Sequence, residues 1–439
     1  MKKKYRIILY TSIFLLCVVA SIILVVKKSN SVYEEESKPK VVKHKSMLSM
    51  NLEQTAGSGD YKTVTQSSWP TEGYKFNAEL SKCENGSTLS WDDTKKAVIM
   101  QGNVSDKCYV YFDIWIPSIA DYCTSGTDLA TCVKNFGDQG PSVSNIYIHN
   151  SSLTNGAGDN SYRYAGANPN NFVCFGSDAS PCPIDNLYRI IGVFGENYHG
   201  ANGKQLVKLI KYDYMTTDEL GTDGDYSQTY KEWGMDSTYK GTYGDGERIG
   251  VYYWNYKATG SATNTWSTSL LNKTNLNTNF INNIGTTWAN KIATVTWKVG
   301  GNTWANIGTK TSSVAYTNEI TNPVTTNTTD NATTYSAKIG LMYVSDYGFA
   351  ASPDAWTLTM SSYNNTTATN NNWMYMGLYE WTISRYADSS RRAFGVYSGG
   401  YVYDYDVGYN FGVRSSFNLE SSVSYVSGSG SMSDPIVIN

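Results

Sequence analysis

The chain carries MYMGLYEWTISRY at residues 374–386 and, soon after, FGVYSGGYVYDYDVGYNFGVR at residues 394–414. From Tyr397 to Tyr409 there are five tyrosines, two aspartates, three glycines and two valines. An aliphatic core avoids tyrosine, because each buried hydroxyl needs a partner. A solvated loop favours Ser, Asn and Lys. Tyrosine mixed with Ser, Gly and Asp is the composition of combining surfaces, where it offers large contact area at small entropic cost. Trp381, Phe394, Val402 and Val407 are expected in the core. The spacing of five between the valines implies a bulge or turn between them. Tyr403, Asp404, Tyr405 and Asp406 would then face outward together. The expected ligand surface is Tyr397, Tyr401, Tyr403, Asp404, Tyr405, Asp406 and Tyr409, with Arg385 and Arg391 at its rim. Glu380 is expected to cap backbone donors or to pair with Arg414. The competing reading packs the tyrosines into a strand pair, since Tyr401, Tyr403 and Tyr405 share one face under strict alternation.

With 439 residues the chain can bury at least one large core, and its length suggests two or three domains. Its net charge is −3 and no basic stripe follows the first fifty residues, so nucleic acid is not an expected partner. Tyrosine is far above ordinary usage at 36 residues, and proline is scarce at 10. That mixture favours many short strands and turns over a helical bundle.

Lys2, Lys3, Lys4 and Arg6 precede an uncharged apolar run from Ile7 to Val26, closed by Lys27 and Lys28. Such a run would form a helix of about 30 Å, long enough to cross a bilayer. A cleaved signal peptide competes, but no A-x-A site follows, and Cys17 lacks the small neighbour of a lipobox. The expectation is an uncleaved signal anchor over 1–28, a membrane partner, and everything after it outside the cell. Residues 29–72 read as a polar tether. Residues 73–116 read as a small β module of roughly four strands, 117–186 as a loop-rich connector, and 187–439 as the ligand-binding domain. Within it, 187–194 and 205–212 pattern as a hairpin turning through Gly200 and Gly203. The stretch from Trp266 to Trp288 is the best helix candidate, with Leu270, Leu271, Phe280, Ile281 and Ile284 on one face and Gly285 as its stop. Residues 300–335 look like an Asn/Thr-rich insertion with weak strand character.

Six cysteines follow Cys17, and nearest-neighbour pairing is the simplest of their fifteen connectivities: Cys83 with Cys108, Cys123 with Cys132, Cys174 with Cys182. No C-x-x-C occurs, and His44, His149 and His199 lack ligand spacing, so zinc is not expected. Disulfides in an oxidising compartment are the better reading. The acidic stretches TTDELGTDGDYS and YDYDVGYN leave Ca²⁺ open, although neither has the spacing of an EF-hand loop and solvated turns are the ordinary reading. No H-E-x-x-H, G-x-S-x-G or P-loop occurs, so no cofactor is expected and no catalytic residue stands out.

Residues 374–386 resemble the G-N-V-W-E-W-T-x-x-x-Y segment of the formylglycine-generating enzyme (sulfatase-modifying factor) family. Gly377, Glu380, Trp381, Thr382 and Tyr386 fall on matching positions. The family's Gly-Gly and terminal G-F-R resemble Gly399 with Gly400, and Gly412, Val413 and Arg414. The layout also looks like uncharacterised bacterial surface domains and the variable proteins of diversity-generating retroelements. The resemblance implies an α+β class: a C-type-lectin-like mixed β domain with two helices and long loops, here preceded by the small all-β module and the transmembrane helix. It does not imply the oxidase activity, because no cysteine follows Cys182. The expected function is non-catalytic binding of an extracellular glycan or protein at the cell surface. An extracytoplasmic enzyme of formylglycine-generating or sugar-active type and a structural surface coat are the alternatives.

Overall fold

The computed structural model describes residues 48–65, 68–70, 72–103, 105–195, 203–227, 239–243, 248–324 and 332–439. The chain divides into two compact units, Met1–Ile116 and Pro117–Asn439. Both are dominated by short strands.

The first unit holds β1 (Leu48–Glu53), β2 (Tyr61–Val64), β3 (Tyr74–Cys83), β4 (Thr88–Asp92), β5 (Ala97–Gln101) and β6 (Cys108–Ile114). Four of them form a sheet in the order β2-β1-β6-β3, and β4 pairs with β5 as a separate hairpin. The core is small: Met50, Leu52, Val110 and Phe112, ringed by half-buried aromatics such as Trp69, Phe76 and Trp91. The Cys83–Cys108 disulfide spans 25 residues, and a loop of that length contributes about 3.5 kcal/mol in the chain-entropy account. The tether expected over 29–72 is corrected here. Its segment LSMNLE alternates enough apolar residues to bury Met50 and Leu52, and it pairs in parallel with β6.

The second unit is built on two larger sheets. One has seven strands: β7 (Ile146–Ile148), β8 (Tyr162–Tyr164), β9 (Phe172–Cys174), β10 (Leu187–Phe194), β11 (Leu206–Lys211), β16 (Ile339–Gly340) and β21 (Ser416–Asn418). The expected hairpin is β10–β11; Gly203 lies beside it and Gly200 falls outside the described residues. The other sheet runs β12 (Tyr226–Ser227), β13 (Val251–Tyr253), β20 (Asn410–Gly412), β17 (Glu380–Arg385), β18 (Arg392–Val396), β19 (Val402–Asp406). Two small pairs complete it: β14 (Val295–Lys298) with β15 (Thr334–Ala337), and β22 (Tyr425–Ser427) with β23 (Val437–Ile438). Residues 423–438 also bind back to the first segments of the unit. The Gly126 and Leu129 N–H groups donate to Tyr425 and Val423 carbonyls, and those of Cys174 and Ile436 exchange with Ile436 and Phe172.

The fold expectation needs correction. Among the described residues no helix is long and apolar enough to cross a membrane, and the run Ile7–Val26 lies outside them. The helix expected from Trp266 is broken into three pieces: a 3₁₀ turn Trp266–Thr268, a π-helix Leu271–Phe280 and an α-helix Ile281–Ala289, with Gly285 at φ 76° inside it. Asn side chains explain the wide turns. Asn277 Nδ2 reaches the Asn272 carbonyl five residues back, so a 3.6-residue stripe does not persist. Leu271, Leu276 and Phe280 are buried, whereas Leu270, Ile281 and Ile284 are only half-buried. The weak strand character expected of the 300–335 insertion gives way, over its described residues 312–321, to helical turns that place Tyr316, Glu319 and Ile320 in the core.

Glu319 belongs to a buried ionic group that joins the two sheets. Its carboxylate accepts the Val344 and Ser345 N–H groups, at 2.9 and 3.0 Å, and the Ser384 hydroxyl. Nearby, Arg163 bonds Asp159 at 2.8 Å, and Lys208 bonds Asp346 at 2.5 Å. The Tyr316 hydroxyl donates to Asp159. Burial pushes the Glu319 carboxyl up to about 7 against the pull of those backbone donors.

Candidate functional site

The stretch 374–414 supplies four adjacent strands of the six-stranded sheet, β20, β17, β18 and the edge strand β19. β17 lies between β20 and β18, so EWTISR is buried along its whole length. Trp381 stacks on Phe411 at 4.3 Å, and its indole N–H donates to the Tyr252 carbonyl. The Thr382 hydroxyl donates to Phe394 O. Glu380 pairs with Arg414 in a fork, Nε to Oε1 at 2.8 Å and Nη2 to Oε2 at 2.9 Å, with both side chains nearly inaccessible. Arg414 also donates to the Met374 carbonyl. Burial raises the Glu380 carboxyl, and the Arg414 guanidinium opposes that rise. Gly377 stands just before β17, and Gly412 ends β20. Gly399 and Gly400 make the turn from β18 to β19, where Gly400 takes φ 95° and its N–H donates to Tyr397 O.

The bulge expected between Val402 and Val407 is absent from β19, and Val407 lies just past the end of that strand. β19 pairs with β18 in unbroken register from Arg392↔Asp406 to Val396↔Val402. The register shift falls on β17, between Trp381 and Arg385. Strict alternation in β19 therefore turns Asp404 inward beside Val402, at 4% exposure, rather than outward with its neighbours. Arg392 meets it at 2.6 Å. Burial raises the Asp404 carboxyl and Arg392 counteracts it. Arg385 is the second correction. It is fully buried and donates to the Gly300 and Val324 carbonyls, because its strand is interior. A Cβ at Gly301 would collide with the Arg385 carbonyl at 1.9 Å, so this close approach requires glycine. Burial pushes Arg385 down to about 10. Arg391 is exposed and pairs with Asp406 at 3.0 Å.

The tyrosines do converge. Tyr397 stacks on Tyr401 at 4.5 Å and lies parallel to Tyr405 at 6.4 Å. Tyr405 meets Tyr403, Tyr409 and Phe411 edge-on at 5.6, 6.1 and 4.8 Å. Tyr379 closes the layer from below, 4.4 Å from Tyr397. Tyr397, Tyr401 and Tyr405 are half-buried, while Tyr403 and Tyr409 are 41% and 47% exposed. Burial drives the Tyr379 and Tyr405 phenols well above their usual range, so both remain neutral donors. The layer thus presents flat ring faces, neutral hydroxyls and one exposed ion pair.

Most carboxylates of the acidic stretches weighed for Ca²⁺ meet protein groups. Glu219 accepts the Thr216 N–H and pairs with Lys211, Asp223 takes Asn279, and Asp225 takes Tyr253. Among the described residues, only Cys83, Asp106 and Cys108 gather three potential ligand atoms, and those two cysteines are joined as a disulfide. Cys123–Cys132 and Cys174–Cys182 are the other two disulfides, and all three fit an extracellular domain.

No family model, curated protein or solved structure matches the chain. Its likeness to the formylglycine-generating enzymes rests on the motif residues alone. Sequence reasoning did not single out Arg189 or Lys208, which are buried within β10 and β11. The signal is a cation inside an otherwise apolar strand: LYRIIGVF and LVKLIK.

Proposed function

We propose that the protein binds an extracellular glycan or protein through the tyrosine layer on β19 and its flanking turns, without catalysis. The observation that carries this reading is the mounting of exposed Tyr403 and Tyr409 on a stacked, half-buried layer of further tyrosines. Such rings contribute contact area with little rotamer entropy left to lose. Their faces suit the apolar faces of sugars or the side chains of a protein partner, and their hydroxyls suit polar groups on either. A purely structural coat would keep these rings covered. An acid–base enzyme needs two carboxyls held apart for different tasks, whereas Asp404 and Asp406 each face their own arginine.

A glycan array and a cell-surface pull-down with the full chain test the proposal, alongside the Tyr403→Ala/Tyr409→Ala variant. Binding by the parent chain and its loss in the variant, at unchanged melting temperature, is the expected result. A variant that binds as well as the parent would sink the proposal.

A further inference from the structure

A second recess in the Pro117–Asn439 unit stands apart from the tyrosine layer. It encloses about 260 Å³ and is lined by Asn168, Asn170, Arg189, Tyr212, Lys240 and Trp373, with methionines at its margin. That is just below the ~300–1,000 Å³ of ordinary small-molecule sites, so its occupant is smaller than a typical drug. Arg189 is 5% exposed. Its guanidinium lies 4.4 Å from the Phe172 ring centre and 4.6 Å from that of Trp373.

A guanidinium has five N–H groups. Arg189 uses Nε on Asn171 Oδ1 at 2.7 Å, Nη2 on the Pro169 carbonyl at 2.9 Å, and Nη1 on the Trp373 carbonyl at 3.4 Å. One N–H on each terminal nitrogen is left, and every acceptor it has is neutral. Lys240 stands exposed at the mouth, its ammonium on the Thr369 carbonyl at 2.9 Å and 5.1 Å over the Tyr375 ring. Among the described residues neither cation has a carboxylate partner. Burial pushes Arg189 down to about 9, and burial together with Arg189 pushes Lys240 down to about 8. Two cations in one recess with no carboxylate beside them are a charge imbalance that an anion would relieve.

We infer that this recess binds the carboxylate of a small organic acid, with Arg189 as the fork at its floor and Lys240 as the second cation at its mouth. The two remaining N–H groups match two carboxylate oxygens. Aromatic rings against the guanidinium favour a planar group over tetrahedral phosphate or sulfate. Trp373 and Tyr212 offer faces to the body of the acid, and the amides of Asn168 and Asn170 offer partners for its hydroxyls. An acidic sugar and a simple aromatic acid share this chemistry.

Titration calorimetry of the full chain with glucuronate, benzoate, glucose and inorganic phosphate tests the assignment at pH 6.5 and 9.5. Binding of at least one carboxylate, with neither glucose nor phosphate matching it, is expected. Glucuronate alone identifies an acidic sugar as the source; benzoate binding equally well identifies the carboxylate itself. Lys240→Gln, at an exposed position, should weaken the binding roughly tenfold, the loss of one charge-assisted hydrogen bond. The parent chain should weaken at least as much by pH 9.5, which lies above the lowered values of both Lys240 and Arg189. Arg189→Met should abolish binding, and Lys240→Gln keeps the test valid if that variant misfolds. The Tyr403→Ala/Tyr409→Ala variant should bind the acid normally, which separates this site from the tyrosine layer. Absence of carboxylate binding, tighter binding of phosphate, or indifference to both Lys240→Gln and pH overturns the inference.

Discussion

Replacing Arg414 by Met should destabilise the larger unit by about 3–5 kcal/mol at neutral pH, the usual result of stranding one member of a buried pair. Arg414 and Glu380 have side-chain exposures of 1% and 2%, so no water takes over the lost bonds. The variant removes two N–H donors from the Glu380 carboxylate and one from the Met374 carbonyl. Glu380 is already raised by burial, and Arg414 is the main force opposing that rise. Without it the folded-state pKa climbs further above the unfolded value. The penalty is then small below the ordinary carboxylate range and grows as pH rises towards the folded-state pKa. Arg414→Met should therefore lose less stability at pH 4.5 than at pH 8. Glu380→Leu combined with Arg414→Met removes both charges and should recover most of the loss. Urea denaturation followed by tryptophan fluorescence at both pH values measures Arg414→Met, Glu380→Leu and the double variant. A loss under about 1 kcal/mol that ignores pH, or a double variant equal to the sum of the singles, would refute the reasoning.

Tyr403→Ala/Tyr409→Ala should shift unfolding by only about 0.5 kcal/mol or less per residue, because exposed side chains contribute little to the fold, while ligand binding disappears. Glu319, raised to about 7, binds its proton more tightly folded than unfolded. Its contribution is complete below the unfolded carboxylate range and is lost as pH rises to about 7, a swing of about 3 kcal/mol. The parent chain's melting temperature should fall accordingly from pH 5 to pH 8, and Glu319→Gln should flatten that slope; an identical slope in both chains refutes it. Removing Cys83–Cys108 with paired serines should cost the small unit about 3.5 kcal/mol, read by denaturation of parent and variant side by side. Intact mass after alkylation without reductant should show none of the six paired cysteines modified.

Much of the fold was legible where pattern and chemistry agreed. The β10–β11 hairpin follows from two unbroken apolar runs around a turn. The three disulfides follow from adjacency of their cysteines. Glu380 and Arg414 were readable as a possible pair because a charged residue beside Trp381 needs a reason. Other features were hidden. The valine spacing pointed to a bulge on β19, but Val407 lies just beyond the strand, so the spacing reports where the strand ends. Arg385 looked like a rim residue because sequence does not reveal that its strand is flanked on both sides. LSMNLE looked like tether because its pairing partner lies some sixty residues away. Asn-rich helices lose their period when amide side chains compete for carbonyls.

The return of residues 423–438 to the start of the larger unit has a consequence for synthesis. The Leu129, Phe172 and Cys174 N–H groups and the Thr127 and Phe172 carbonyls bond backbone groups of this segment. A chain emerging at about 5–20 residues per second would hold those early groups unpaired for tens of seconds. Over that interval the early strands of the seven-stranded sheet are exposed edges, open to other chains. The unit is therefore expected to complete its fold only once residues 423–438 have emerged. A nascent chain halted before residue 423 should be protease-sensitive, and one extended past 438 resistant.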